Sequence, residues 1–149
     1  MSSCYYRYIT SGFVAAFALI VAVLDGDLFA SPDFSVLVGA GDIASCEPDR
    51  AEATAKLLNN IAGTVFTAGD NAYGSGTDRQ FTQCYERSWG RHRQRTRPAP
   101  GNHDYGTDQA APYFKYFGAN AGLAGRGYYS YKLGAWHIVS LNSNTNARY

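Results

Sequence analysis

The chain has 149 residues, with 13 lysines and arginines against 12 aspartates and glutamates and a formal net charge of +1. That length suits one domain with its own core, and 46% apolar with 17% charged residues excludes a disordered polyelectrolyte. The near-neutral balance gives no electrostatic reason to expect a nucleic-acid partner.

The first 30 residues stand apart. One cation, Arg7, precedes an uncharged apolar run from Gly12 to Leu24. That run is 13 residues long, short of the roughly 20 that a membrane-spanning helix needs. Ala30 supplies a small residue at a cleavage position, so residues 1–30 read as a secretory signal peptide. The protein is then secreted or periplasmic, and the mature chain from Ser31 has no stable membrane span. An uncleaved anchor and a buried helix of the fold are the other readings. Cys4 would leave with the signal. Cys46 and Cys84 are either a disulfide, in an oxidising compartment, or two buried thiols.

From Phe34 strand and helix signals alternate. "FSVLVGA" is a short β-rich run ending at Gly41-Asp42. "EPDRAEATAKLLNNIAG" predicts a helix, with Pro48 in its first turn, Leu57, Leu58 and Ile61 on its apolar face and Gly63 as its stop. "TVFTA" predicts a second strand ending at Gly69-Asp70. "TDRQFTQCYERSWG" predicts a second helix, opened by Thr77 and Gln80 at capping-box spacing and closed by Gly90. "TRPAP" is a weak third strand, since its prolines cannot donate to a ladder, and it ends at Gly101-Asn102-His103-Asp104. "APYFKYFG" predicts a short helix, and "GYYSYKL" with "AWHIVSLNS" a hairpin turned at Gly134.

Strand and helix in alternation predict an α/β fold with a parallel sheet. Ligands bind such sheets beyond the carboxyl ends of the strands. Each predicted strand ends there in Gly followed by Asp or Asn, so Asp42, Asp70 and Asn102 are expected on one sheet edge. Separations of 28 and 32 residues between them match one crossover unit each. Two carboxylates, an amide oxygen, the phenol of Tyr73 and the imidazole of His103 make a mixed oxygen and nitrogen set suited to iron, zinc or manganese. A carboxylate can bridge two ions about 3.5–4 Å apart, and Asp70, on the middle segment, is placed to do so.

"GAGDIA", "GDNAY" and "GNHD" resemble the first three motifs of the calcineurin-like metallophosphoesterases, with the resemblance running from about Phe34 to the end. That family usually has a histidine two residues after its first aspartate, where this chain has Ala44. The purple acid phosphatases lack that histidine too and use a GD-x-x-Y tyrosine on iron, which here is Tyr73. The resemblance therefore implies the purple-acid-phosphatase-like branch, an αββα metallophosphatase sandwich and two metal ions (iron, zinc or manganese). It implies a phosphate-ester substrate hydrolysed by a metal-activated water. Asp42, Asp70 and Tyr73 would hold one metal, and Asp70 with Asn102 the other. His103 would sit near the leaving group, oriented by Asp104. The family's later histidines, one alone and then a Gly-His-x-His pair, have no counterpart up to Tyr149. The chain is thus expected to be the N-terminal part of such a domain, residues 31–149, truncated after its first half, with weak metal binding and little turnover.

Two rivals use the same residues. A secreted binding module would keep the fold without the chemistry. A dinucleotide site is the other, since Gly39 to Ala44 fits G-x-G-x-x-A. Asp42, however, would place a negative charge where a pyrophosphate sits, and Pro48 starts the helix too late. The arginine run Arg87, Arg91, Arg93, Arg95 and Arg97 reads either as a basic rim or as a solvated helix end, with His92 exposed inside it. His137 reads as a packed strand residue. Tyr113, Phe114, Tyr116, Phe117, Tyr128, Tyr129 and Tyr131 read mostly as core and sheet surface.

Overall fold

The computed structural model describes residues 35–47 and 50–144. The signal-peptide stretch, Cys4, Pro48 and the last five residues lie outside them. Three strands, β1 (Leu37–Ala40), β2 (Thr64–Ala68) and β3 (Thr96–Ala99), form a parallel sheet in the order β1-β2-β3. Val38 stands opposite Val65, and Phe66 opposite Arg97. Side chains alternate across β2 as strand geometry requires. Val65 joins the buried core, while Phe66 faces a cavity beneath the C-terminal hairpin. Pro98 of β3 is accommodated because that strand lies at the edge of the three-stranded sheet.

Helix α1 (Arg50–Leu58) turns Ala51, Ala55 and Leu58 inward, at helical spacing. Leu57 and Ile61, expected on that face, are exposed instead. Each residue advances the helix by about 100°, so Leu57 cannot share Leu58's direction, and the small alanines make the closest-packing stripe.

His92, expected in solvent, is buried. The reason is the end of α1, which leaves carbonyls without helical partners. The Arg95 guanidinium donates to the carbonyls of Leu58, Ile61 and Gly63 at 2.7, 2.8 and 2.9 Å. His92 Nε2 lies 3.1 Å from Ala55 O, and its Nδ1 lies 3.2 Å from Arg95 Nη2. A cation at this end also suits the helix dipole. Arg91 pairs with Glu52, Arg97 bonds Asn120 over the Tyr131 ring, and Arg93 lies over Tyr116. Much of the arginine run is therefore held in packing and capping contacts, not arrayed as a rim.

Helix α2 (Asp78–Gln80) opens on the capping box expected at Thr77 and Gln80. It passes into a π turn at Phe81–Tyr85 and then a 3-10 segment at Trp89–Arg95. Gly90 lies inside that segment and does not stop the helix. A Cβ there would meet the Glu86 carboxylate at 2.6 Å and the Tyr116 hydroxyl at 2.9 Å. Helix α3 (Ala111–Phe117) buries Tyr113, Phe114 and Phe117. The Phe117 ring meets Phe81 and Tyr85 edge-on, with Phe81–Phe117 centroids 5.9 Å apart and Tyr85–Phe117 centroids 5.4 Å apart. This is the geometry aromatic quadrupoles favour. Cys46 and Cys84 form a disulfide, Cα to Cα 4.8 Å, fastening the loop after β1 to the π turn.

Strands β4 (Tyr129–Leu133) and β5 (Trp136–Ser140) form the expected antiparallel hairpin. Tyr131 and Ile138 point toward the sheet and line the cavity with Leu37 and Phe66. His137, expected to be packed, is exposed on the opposite face, because neighbours on a strand point to opposite sides. One acceptor joins several parts: Pro98 O takes hydroxyls from Tyr113 at 2.9 Å and Tyr129 at 2.8 Å. The described residues are thus mixed α/β with a small parallel sheet. Among them, no helix is long and apolar enough to cross a membrane.

Candidate metal centre

Beyond β1 and β2 the two segments continue side by side. Asp42 N donates to Gly69 O, Ile43 N to Asp70 O, Ala44 N to Asn71 O, and Tyr73 N back to Ala44 O. This ladder brings Asp42 and Asp70 together at the carboxyl end of the sheet. Both adopt left-handed backbone, with φ 54° and 51°, a conformation that aspartate tolerates better than most residues. Each such residue costs on the order of 1 kcal/mol, and the ladder holds both in place.

The Tyr73 hydroxyl lies between the two carboxylates, bonded to Asp42 Oδ1 and 3.0 Å from Asp70 Oδ2. A phenol has one proton, so three oxygens meet where only one donor exists. The bond to Asp42 holds the Tyr73 phenol well above its ordinary pKa, and partial burial and Asp70 push the same way. A cation among these oxygens would reverse that logic and favour the phenolate. As a donor set they fit a hard, oxygen-seeking ion.

Asn102 and His103 follow β3 at the same edge. His103 N donates to Asp70 Oδ1 at 3.0 Å. The His103 ring lies 4.3 Å from that of Tyr73, centroid to centroid, and its Nδ1 is 2.6 Å from Gly74 O. A carbonyl can only accept, so Nδ1 carries the proton and Nε2 is the nitrogen left for a ligand. Asn102 itself is exposed.

Asp104 does not orient the His103 ring as expected. Its carboxylate is fully buried and accepts from Asn71 N, Asn71 Nδ2, Ala72 N and Gly101 N. Burial pushes its carboxyl above the ordinary range, while these donors pull it back. Asn71 gives its second amide proton to Ala99 O at 2.9 Å, leaving its Oδ1 buried without a protein partner. An orphaned oxygen of this kind costs about 1–3 kcal/mol. The sequence hides Asn71, because an Asn after Gly-Asp reads as a turn residue.

Ala44, where the metallophosphoesterases that the chain resembles usually have a histidine, is fully buried and bridges Ala72, so that position faces the core. His92 lies at the opposite end of the sheet and His137 on the hairpin. Among the described residues, His103 is the histidine at this edge, and no three of His, Cys, Asp and Glu are grouped to hold a metal. Tyr73 falls outside that residue set and its oxygen meets those of Asp42 and Asp70, while the nitrogen donors are few. Helix α1 begins six residues past Ala44, so Gly39–Ala44 does not open a helix as a dinucleotide fingerprint requires. No family model, curated protein or solved structure matches the chain.

Proposed function

We propose that the chain is a metal-dependent phosphoesterase of the purple-acid-phosphatase-like kind, acting on a phosphate mono- or diester. The observation that carries this is the meeting of Asp42, Asp70 and Tyr73 oxygens over a single proton at the ends of adjacent parallel strands. In this reading the sheet belongs to one half of an αββα sandwich. Asp42, Asp70 and Tyr73 would hold one metal, and Asp70 with Asn102 the other. The metals, when bound, supply an acidified water and a clamp on phosphate oxygens. His103, with its Nδ1 proton engaged by Gly74 O, presents Nε2 toward the leaving group. The disulfide supports an oxidising, extracytoplasmic location and an export signal in residues 1–30.

The scarcity of nitrogen donors favours weak binding and slow turnover, and supports a second reading, a binding module that keeps the fold without turnover. Elemental analysis of protein purified without chelator, with a p-nitrophenyl phosphate assay, separates the two. Bound metal with hydrolysis is expected. Metal without hydrolysis supports the binding module, and neither metal nor hydrolysis rejects the proposal.

A further inference from the structure

Two turns must be held in register for this edge to work. One, residues 69–73, carries Asp70 and Tyr73. The other, residues 101–104, carries Asn102 and His103. They follow different strands, and what joins them is buried. Asp104 reaches from the second turn and takes three N–H groups of the first: Asn71 N at 3.1 Å, Asn71 Nδ2 at 2.9 Å and Ala72 N at 3.4 Å. It closes its own turn through Gly101 N at 2.9 Å. Asn71 extends the link to Ala99 O at the end of β3. Both amide protons of Asn71 meet acceptors, so its orientation is fixed, and the fold tolerates an unpartnered Oδ1 to keep it.

We propose that Asp104 is a positioning residue, which acts through Asn71 to hold Asp70 against Asn102 and His103 and so sets the geometry of the shared metal edge. This rests on the metal reading above but uses contacts that reading does not need. An apolar pair of similar size could fill the space. Only a carboxylate facing an amide ties the two turns with three N–H bonds, and closes its own with a fourth, while remaining out of solvent. Asp104 touches neither substrate nor the proposed ligand oxygens. Its influence runs through the backbone of residue 71, next to Asp70, and of residue 101, next to Asn102.

Hydrogen exchange and metal titration test this together. In the wild-type chain the amides of Asn71, Ala72 and Gly101 should exchange slowly and through one shared opening. Rapid, independent exchange there would overturn the clamp without any variant. Titration with manganese or zinc should show affinity weakened about tenfold or more in Asp104→Asn and in Asn71→Ala. Asn71→Ala removes one of the three ties and Asp104→Asn alters the carboxylate that all three share, so the double variant should be no worse than Asp104→Asn alone. Variants that bind as wild type does overturn the proposal. Where Asp104→Asn does not fold, Asn71→Ala decides, since it leaves Asp104 its three backbone donors. A wild-type chain that takes up no metal rejects the metalloenzyme reading, and with it the role of the clamp, even if exchange shows the clamp closed.

Discussion

A methyl group on Gly101 would sit on the carboxylate and backbone nitrogen of Asp70. The end of β3 can press against the end of β2 only because residue 101 has no side chain. Gly101→Ala should therefore drive the two turns apart. It is expected to cost about 1–3 kcal/mol of stability by overpacking and to weaken metal uptake together with stability. Urea unfolding and metal titration of the variant check both. A stable variant with unchanged uptake would contradict the close approach.

Tyr73 is the donor shared by Asp42 and Asp70. Loaded with ferric iron, the chain should show a visible phenolate-to-iron absorption band, and Tyr73→Phe should abolish it. An unchanged band in the iron-loaded variant would remove Tyr73 from the site. Asp70→Asn should weaken both metals, since one carboxylate serves two ions, and loss of one metal alone would argue against a bridge.

His92 makes the end of α1 sensitive to acid. Burial lowers its pKa first, the Arg95 and Arg91 charges add to this, and the bond to Ala55 O opposes it. Glu52, which pairs with Arg91 and Lys56, is the acidic side chain in the same cluster. The neutral ring donates from Nε2 to Ala55 O and accepts at Nδ1 from Arg95. A second proton would face the guanidinium. Because the folded-state pKa is depressed, this stability is fully present above the ordinary histidine value of about 6.5 and is lost as pH falls through the folded value. Over that window the loss should approach about 1.4 kcal/mol per pH unit. His92→Gln should flatten it. Urea unfolding at neutral and mildly acid pH reads the difference, and equal slopes in both proteins would contradict this role.

The disulfide closes a loop between positions 38 residues apart. Reduction, or a Cys46→Ser and Cys84→Ser pair, should lower stability by about 2–4 kcal/mol. Thermal unfolding with and without reductant measures this, and peptide mapping of the protein purified without reductant should recover the two cysteines in one linked fragment. Free thiols there would contradict the pairing.

The sheet edge was legible because its signals are local. A β-rich run followed by Gly-Asp or Gly-Asn announces both a strand end and an exposed polar side chain. The same is true of the hairpin at Gly134 and the capping box at Thr77. What the sequence conceals depends on distant partners. His92 is buried by a carbonyl 37 residues away, and Asp104 is turned from His103 by an amide 33 residues away. Nothing near either residue signals those contacts. The alanine stripe of α1 was missed because leucines outweigh alanines in any reading by hydrophobicity, while close approach selects the smaller residue.

Pro98 O has two lone pairs and two phenols to fill them, one 15 residues along the chain and one 31. Closing a loop twice as long costs about 0.6 kcal/mol more. Tyr113 is therefore expected to arrive before Tyr129, and the hairpin to dock on a carbonyl that α3 has already aimed. Assembly would then run in one direction, from helix to hairpin. Pulse-labelled exchange should find the amides of α3 protected before those of β4, and the reverse sequence would show that the hairpin leads.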